Sequence, residues 1–155
     1  MFKTKSGRDI TYYGRENTND IVKTCQDFEG INTVDDLFKL LLETWSVETT
    51  YPSCQEEYCY EKDPTLGQCA ITAMLVNDIF GGTIHKIYLD GGGTHYFNKI
   101  NDKYIDLTSD QFFGFGYVIN YEPNEDVPIE YCCKSQNTAM RFNLLLERLI
   151  CNLRV

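Results

Sequence analysis

The most regular hydrophobic pattern lies in residues 31–45, "INTVDDLFKLLLETW". Leu37, Leu41 and Trp45 recur at every fourth position, and this spacing is typical of one apolar stripe on an amphipathic helix. Thr33 can act as the N-cap, and two aspartates follow in the first turn, where negative charge interacts favourably with the helix dipole. The pattern predicts a helix that begins just after Thr33.

Residues 67–82, "GQCAITAMLVNDIFGG", are apolar around almost the whole helical circumference. Such a segment is typical of a central helix that is buried on most sides. Gly67 precedes it, and Gly81-Gly82 supply a signal for its end. The preceding residues 46–66 are polar and show no sustained period, so they are predicted to form a long loop.

After Gly82 the hydrophobic period changes to two. The segments "TIHKIYLD", "THYFNKI" and "KYIDLT" are predicted to be strands. A hairpin is predicted around Ser6-Gly7, a turn at residues 122–128, and a closing amphipathic helix in residues 135–155, with Met140 on its apolar face. This order of elements predicts the α+β class, with the central helix packed against an antiparallel sheet.

Length and charge narrow the function classes. The 155 residues fit one domain, residues 1–155. The formal net charge of −9 argues against a nucleic-acid partner, because phosphate binding needs a basic face. No apolar run is long enough to span a membrane, and the first residues lack the apolar part of a signal peptide. The seven cysteines are therefore expected to be reduced thiols, in a cytoplasmic protein without a membrane partner.

Three reactive residue types follow one another in an order that suits nucleophilic catalysis. Cys69 is at the predicted start of the central helix, where the helix dipole lowers the pKa of a thiol. His95 lies on one predicted strand and Asp106 at the end of the next. A histidine can transfer the proton of the thiol, and a carboxylate can orient the histidine.

The spacing of the predicted hairpin tests this grouping. If Asn101-Asp102 form a two-residue turn, Asp106 lies opposite Phe97, and His95 is its diagonal neighbour on the same face. Such neighbours are roughly 7–8 Å apart at the backbone, within reach of their side chains. A three-residue turn would place His95 and Asp106 on opposite faces of the sheet.

Other interpretations of these residues stay open. Free cysteine is often a buried packing residue, so Cys69 also suits a purely structural role. Cys54 and Cys59 have only a weak metal-ligand spacing, and a zinc site of Cys69, His95 and Asp106 lacks the companion motifs of known zinc sites. No metal and no cofactor are therefore expected.

The central segment and the following "THYFNKINDKYIDLTSDQF" together resemble the YunG-like family of small bacterial proteins. The resemblance extends upstream to "WSVETTYP" and downstream to "RFNLLLERL", and it covers roughly residues 37–150. It implies a core of residues 32–155, preceded by an amino-terminal extension of residues 1–31.

This resemblance implies a papain-like or transglutaminase-like cysteine-hydrolase fold, with Cys69, His95 and Asp106 as the catalytic triad. In papain-like enzymes a glutamine near the nucleophile helps to bind the oxyanion. Gln68 and Gln55 are the candidates here, together with the backbone N–H of Cys69.

The upstream segment "WSVETTYP", which is part of the resemblance, supplies three substrate-binding candidates, Trp45, Glu48 and Thr49. Two functions follow. The first is a thiol-dependent hydrolase or acyltransferase that acts on an amide or thioester. The alternative is a catalytically inactive papain-like module that binds or inhibits a protein partner, for which the aromatic residues between Phe112 and Tyr121 offer a contact surface.

Overall fold

The computed structural model describes residues 2–154, so Met1 and Val155, the two ends of the predicted domain, lie outside the described residues. The chain has a mixed α and β architecture that contains a four-stranded antiparallel sheet, which confirms the predicted α+β class. Its elements follow in the order β1 Phe2–Lys3, β2 Asp9–Ile10, α1 Val34–Thr44, α2 Cys69–Phe80, β3 Thr83–Tyr88, β4 Thr94–Ile100, β5 Lys103–Ile105, α3 Asp110–Phe113, β6 Glu125–Val127, α4 Ile129–Cys132 and α5 Gln136–Leu153.

The main sheet has the strand order β5-β4-β3-β6, and each neighbouring pair is antiparallel. Asn98 pairs with Ile105, and Ile100 pairs with Lys103, so the turn between β4 and β5 has two residues. Both turn residues, Asn101 and Asp102, have positive φ values of 53° and 65°, as the favoured two-residue hairpin turn requires. The register expected from the sequence is therefore confirmed.

Helix α2 lies at the centre of the molecule. Eight of its residues are buried, and it packs against β4 and α5. On the sheet side, Asn98 donates a hydrogen bond to the carbonyl of Ala73 at 2.9 Å. Gly81, with a φ of 78°, follows the last helical residue, and its N–H donates to the carbonyl of Asn77. The predicted central helix is thus confirmed, together with its glycine end signal.

Helix α1 begins as its capping residues predict. The Thr33 hydroxyl accepts from the Asp36 N–H, and the Asp36 carboxylate accepts from the Thr33 N–H, which completes a capping box. Leu37 and Leu41 are fully buried, and they face the same core as α2 and α5. This arrangement satisfies the free N–H groups of the first turn while the apolar stripe is removed from water.

The amino-terminal residues pack into the same core. β1 and β2 form the predicted two-stranded hairpin, in which Phe2 pairs with Ile10. Ile10, Tyr12, Ile21 and Ile31 are buried and join the hydrophobic cluster of α1, α2 and α5. Residues 2–31 therefore cover apolar surface of the rest of the chain rather than forming a separate core.

Two predicted details are wrong. The predicted turn at residues 122–128 contains the edge strand β6, in which Val127 pairs with Ile84 and is buried. In α5, Met140 is 63% exposed and its neighbour Arg141 is buried. The buried face of α5 thus includes Leu145, as predicted, but it contains Arg141 in place of Met140.

Among residues 2–154, none of the helices is both long enough and apolar enough to cross a membrane.

Candidate active site

Cys69 is the first residue of α2, where the chain leaves the long loop. Gly67 makes this entry possible, because it has a φ of 74° and a Cβ there would collide with the Thr50 hydroxyl. The N–H groups of the first helical turn have no acceptor within the helix, so the Cys69 N–H remains a donor beside its own thiol. The Cys69 residue is partly exposed and is not in a disulfide.

The thiol of Cys69 is activated by its neighbours. Burial alone would raise the pKa of this thiol, but the interaction with the nearby His95 outweighs that effect, and the Tyr96 N–H also contributes. The net result is a pKa below the ordinary thiol value. Cys69 thus differs from Cys132, a buried cysteine whose pKa is raised to about 11, mainly by burial.

His95 and Asp106 are in direct contact. The Nε2 atom of His95 is 2.6 Å from Oδ2 of Asp106, and each side chain is only 1% exposed. Burial opposes the charged imidazolium, yet the attraction of Asp106 is stronger and raises the pKa of His95. Because Nε2 is bound to the carboxylate, Nδ1 is the ring atom left for the thiol.

Asp106 is held by more donors than His95 alone. The Tyr121 hydroxyl donates to the same Oδ2 at 2.6 Å, and the N–H and hydroxyl of Thr108 donate to Oδ1 at 3.1 and 3.2 Å. The N–H of Asp106 donates to the carbonyl of Tyr13 at 3.0 Å, and the Tyr13 ring packs on Tyr121 with a centroid distance of 4.4 Å. This network fixes the carboxylate in one orientation.

Sequence reasoning missed Tyr121 and Tyr13. Tyr121 lies in an irregular segment after α3, and Tyr13 lies in the amino-terminal extension, far along the chain from Asp106. Neither position belongs to a periodic pattern, so only the three-dimensional contact reveals its role. Thr108 carried a weak signal, because a Thr two residues after an Asp commonly donates to its carboxylate in a turn.

The two candidate oxyanion glutamines lie in different environments. Gln68 is fully buried, its Nε2 donates to the Ser46 carbonyl at 2.9 Å, and its Oε1 accepts from the Thr49 hydroxyl at 2.9 Å. Gln68 therefore anchors the loop, and its amide is not available to a substrate oxygen. Gln55 is exposed and follows the short 3₁₀ helix Pro52–Cys54. The Cys69 N–H is the remaining oxyanion candidate.

The three substrate-binding candidates also differ in placement. Trp45 is 2% exposed and donates from Nε1 to the Thr72 hydroxyl at 3.0 Å, inside the core. Thr49 is fully buried against Gln68. Both positions argue against direct contact with a substrate. Glu48 is exposed and forms an ion pair with Arg148 at 3.4 Å, beside an open cavity of about 720 Å³.

The second histidine has a structural environment. His85 on β3 is bonded to the Thr83 hydroxyl at 2.7 Å and to the Asn124 side chain at 2.9 Å. Within residues 2–154, no group of three or more His, Cys, Asp and Glu side chains is arranged to hold a metal ion. Cys54 and Cys59 are free thiols.

The loop before α2 contains a carboxyl group with unusual properties. Burial, reinforced by the nearby charge of Asp110, raises the pKa of Asp63 to about 6, although Arg8 opposes this shift. The Oδ1 atom of Asp63 is buried without a hydrogen-bond partner. Ionised Asp63 is therefore less stable in the folded protein than in water.

We expect Asp63→Asn to raise the free energy of unfolding at neutral pH by about 1–2 kcal/mol, a value reduced for partial exposure. Folding raises the pKa of Asp63, so the protonated Asp63 side chain contributes stability that is complete below the ordinary carboxyl pKa of about 4. That stability is lost as the pH rises through about 6. Urea unfolding of wild type and variant between about pH 4 and 7 measures the effect. A stability difference that is the same throughout this range would contradict the assignment.

Comparison with known proteins places this chain among relatives. A sequence profile described as "YunG protein" matches residues 33–154. The chain is also similar to the "Uncharacterized protein YunG" of Bacillus subtilis (strain 168), with 40% identity over 73 residues, which are 47% of this chain and 57% of that relative. The match thus spans a little over half of the curated relative. No solved structure matches the chain. Since the profile covers most of the chain, this protein belongs to the YunG family.

Proposed function

We propose that this protein is a thiol-dependent hydrolase or acyltransferase that acts on an amide or thioester. The observation that carries the proposal is the buried hydrogen bond of 2.6 Å between His95 Nε2 and Asp106 Oδ2, next to a thiol at a helix start. This arrangement has the three parts of a nucleophilic triad, which are an activated thiol, a base and an orienting carboxylate.

In the proposed reaction, His95 holds the proton of the Cys69 thiol, and Sγ attacks the carbonyl carbon of the substrate. The charge that develops on the carbonyl oxygen is stabilised by the Cys69 N–H. The carbon–nitrogen or carbon–sulfur bond then breaks, and His95 gives its proton to the leaving group. Water or an amine resolves the acyl-enzyme, which makes the reaction hydrolysis or acyl transfer.

The proposal includes a papain-like or transglutaminase-like core within a single domain. It is supported by the position of the cysteine at the start of α2 and by the packing of this helix against an antiparallel sheet that carries the histidine. The unpaired state of all seven cysteines supports a reducing compartment such as the cytoplasm.

A second candidate function is a catalytically inactive module that binds or inhibits a partner protein. It is favoured by one observation, the nearly complete burial of His95 and Asp106, each 1% exposed. Neither of two surface cavities is lined by a triad residue, and they lie around Glu48 and Arg148 and around Tyr13 and Asp110. A binding module would use such surfaces and would not need a reactive Cys69.

The proposed enzyme predicts a strong coupling between Cys69 and His95. In wild type, iodoacetamide should alkylate Cys69 faster than the six other cysteines near neutral pH. In His95→Ala the thiol pKa should rise because burial remains and its compensating partner is lost. Each unit of this rise lowers the alkylation rate about tenfold at a pH below the thiol pKa. Mass spectrometry of each cysteine peptide against pH gives the rates.

His85→Ala is the matched control, because it removes the other histidine, which contacts Thr83 and Asn124. Its alkylation profile at Cys69 should equal that of wild type. If Cys69 is unreactive in wild type, or if His95→Ala leaves its pH profile unchanged, the enzyme proposal fails and the binding module is favoured.

A further inference from the structure

Arg141 is a buried cation in the second turn of α5. Its side chain is on the core face, and the residue is only 5% exposed. It donates from Nη1 to the Thr49 carbonyl at 3.1 Å, from Nε to Asn137 Oδ1 at 2.7 Å and from Nη2 to the Thr138 hydroxyl at 3.4 Å. All three acceptors are neutral, so none of them balances the charge of the guanidinium.

Three other arginines each form an ion pair with a carboxylate. Arg8 pairs with Asp110, Arg15 pairs with Asp35, and Arg148 pairs with Glu48. Arg141 is the most buried of these four side chains, yet within residues 2–154 no carboxylate lies within ion-pair distance of it.

Burial of an unbalanced charge is unfavourable by several kcal/mol. A guanidinium has five N–H donors, and the three bonds of Arg141 leave two of them free. A planar pair of N–H groups is the geometry that binds a carboxylate by two hydrogen bonds. The chain therefore contains a buried, positively charged donor group that an anionic ligand would complete.

This group is next to the candidate active site. Arg141 holds the carbonyl of Thr49, whose hydroxyl is bonded to Gln68, the residue before Cys69. The ring of Tyr51 lies over the guanidinium at 5.5 Å, and the Tyr51 N–H donates to the Gly67 carbonyl at 2.9 Å.

Arg141 also interacts electrostatically with ionisable groups near the candidate active site. Burial lowers the pKa of Arg141, while the negative forms of Cys69, Tyr51 and Cys54 would raise it. The Tyr51 residue, whose ring lies over the guanidinium, is itself 52% exposed.

We propose that Arg141 binds a carboxylate of the substrate, close to the carbonyl that Cys69 attacks. This inference rests on the proposed function and narrows its substrate to an amide or thioester that carries a carboxylate near the reacting carbonyl. The net charge of −9 would repel such a substrate from the surface in general. A buried cation beside the nucleophile supplies a local attraction that the surface lacks.

Two alkylating reagents of similar size test this, because iodoacetate carries a carboxylate and iodoacetamide is neutral. Both form an Sγ–carbon bond and release iodide. The rate ratio of iodoacetate to iodoacetamide is measured at Cys69 and divided by the same ratio at the exposed Cys133 and Cys151 of the same sample. In wild type we expect a normalised ratio of about ten, which corresponds to about 1.4 kcal/mol of attraction between Arg141 and the carboxylate of the reagent.

In Arg141→Gln the normalised ratio should fall about tenfold from the wild-type value, and Arg141→Lys should keep part of the preference because it keeps the charge. The matched control is Arg148→Gln, on the same helix, where the arginine is already paired with Glu48 and the ratio should stay at the wild-type value. If Arg141→Gln does not fold, Arg141→Lys is compared with wild type instead, and its normalised ratio should lie below the wild-type value. Acetate should then slow iodoacetamide at Cys69 but not at Cys133, and chloride at equal ionic strength should not.

A wild-type ratio at Cys69 no higher than at Cys133, or a ratio unchanged in folded Arg141→Gln, overturns the proposal. If Arg141→Gln raises the thiol pKa and leaves the ratio as it was, Arg141 only stabilises the thiolate, and the proposal is equally overturned. The charge of His95 acts on iodoacetate in wild type and in Arg141→Gln alike, so the change in the ratio between these two proteins reports Arg141 alone, and dependence on His95 is read from the neutral reagent. The preference for iodoacetate over iodoacetamide is read from the normalised rate ratio.

Discussion

Replacing Asp106 with alanine is expected to lower the free energy of unfolding by about 3–5 kcal/mol near pH 7, as for other buried pairs that lose one partner. The variant leaves the donors of His95, Tyr121 and Thr108 without their acceptor in a region that is closed to water. Each buried polar group left unpaired is unfavourable by about 1–3 kcal/mol. Urea unfolding followed by the fluorescence of the single tryptophan measures the loss.

The pH dependence identifies the ion pair as the cause. Folding raises the pKa of His95, so the stability it contributes is complete below its ordinary value of about 6.5 and is lost as the pH rises through the raised value. The deficit of Asp106→Ala should therefore be largest near pH 6 and become smaller in alkaline solution. Asp90→Ala, at an exposed turn, is the control and should change stability by less than about 0.5 kcal/mol. An Asp106→Ala variant as stable as this control would refute the buried network.

Replacing Trp45 with alanine is expected to lower the free energy of unfolding by about 3–5 kcal/mol, the range for a large aromatic residue in a core. The indole is 2% exposed, lies edge-on to Phe38 at a centroid distance of 6.0 Å, and bonds to Thr72 on α2. Its removal leaves a cavity between α1 and α2 and an unpaired hydroxyl. Because this variant lacks the single tryptophan, the loss of stability is measured by circular dichroism during thermal or urea unfolding.

Two further variants separate this structural role from substrate contact. Trp45→Phe keeps most of the volume and loses the hydrogen bond, so it should lose about 1–2 kcal/mol. The pH profile of Cys69 alkylation should stay as in wild type. Val47→Ala, two residues later and 43% exposed, should change stability by less than about 0.5 kcal/mol. A stable Trp45→Ala protein with altered reactivity at Cys69 would instead restore Trp45 as a functional residue.

The elements predicted best are those whose residues determine them locally. The apolar circumference of residues 69–80 requires a central helix, and the two-residue turn at Asn101-Asp102 sets which side chains of β4 and β5 share a face. The sequence alone therefore predicts that His95 and Asp106 share one face of the sheet. At Trp45 the local pattern also distinguishes a packing residue from a residue that contacts substrate. The helical stripe of residues 31–45 already predicts its burial, in conflict with its selection as a substrate contact.

The remaining features depend on contacts between distant segments. Tyr121 approaches Asp106 through an irregular segment, and Arg141 occupies a position where the helical pattern calls for an apolar residue. β6 exists because Val127 completes the edge of the sheet beside Ile84, which no turn signal in its polar surroundings reveals. Such residues are determined by the tertiary structure rather than by local propensity.

The short turn between β4 and β5 has a consequence for how this family can vary in length. One inserted residue between Asn101 and Asp102 would reverse the faces of one strand and separate the histidine from the carboxylate, so we expect few insertions there even though the turn is exposed. A longer turn at the glycine-rich residues 91–93 would leave the register of β4 and β5 unchanged, and these glycines have open space around them. Natural insertions, and the attachment of a label or an additional domain, are therefore expected at residues 91–93.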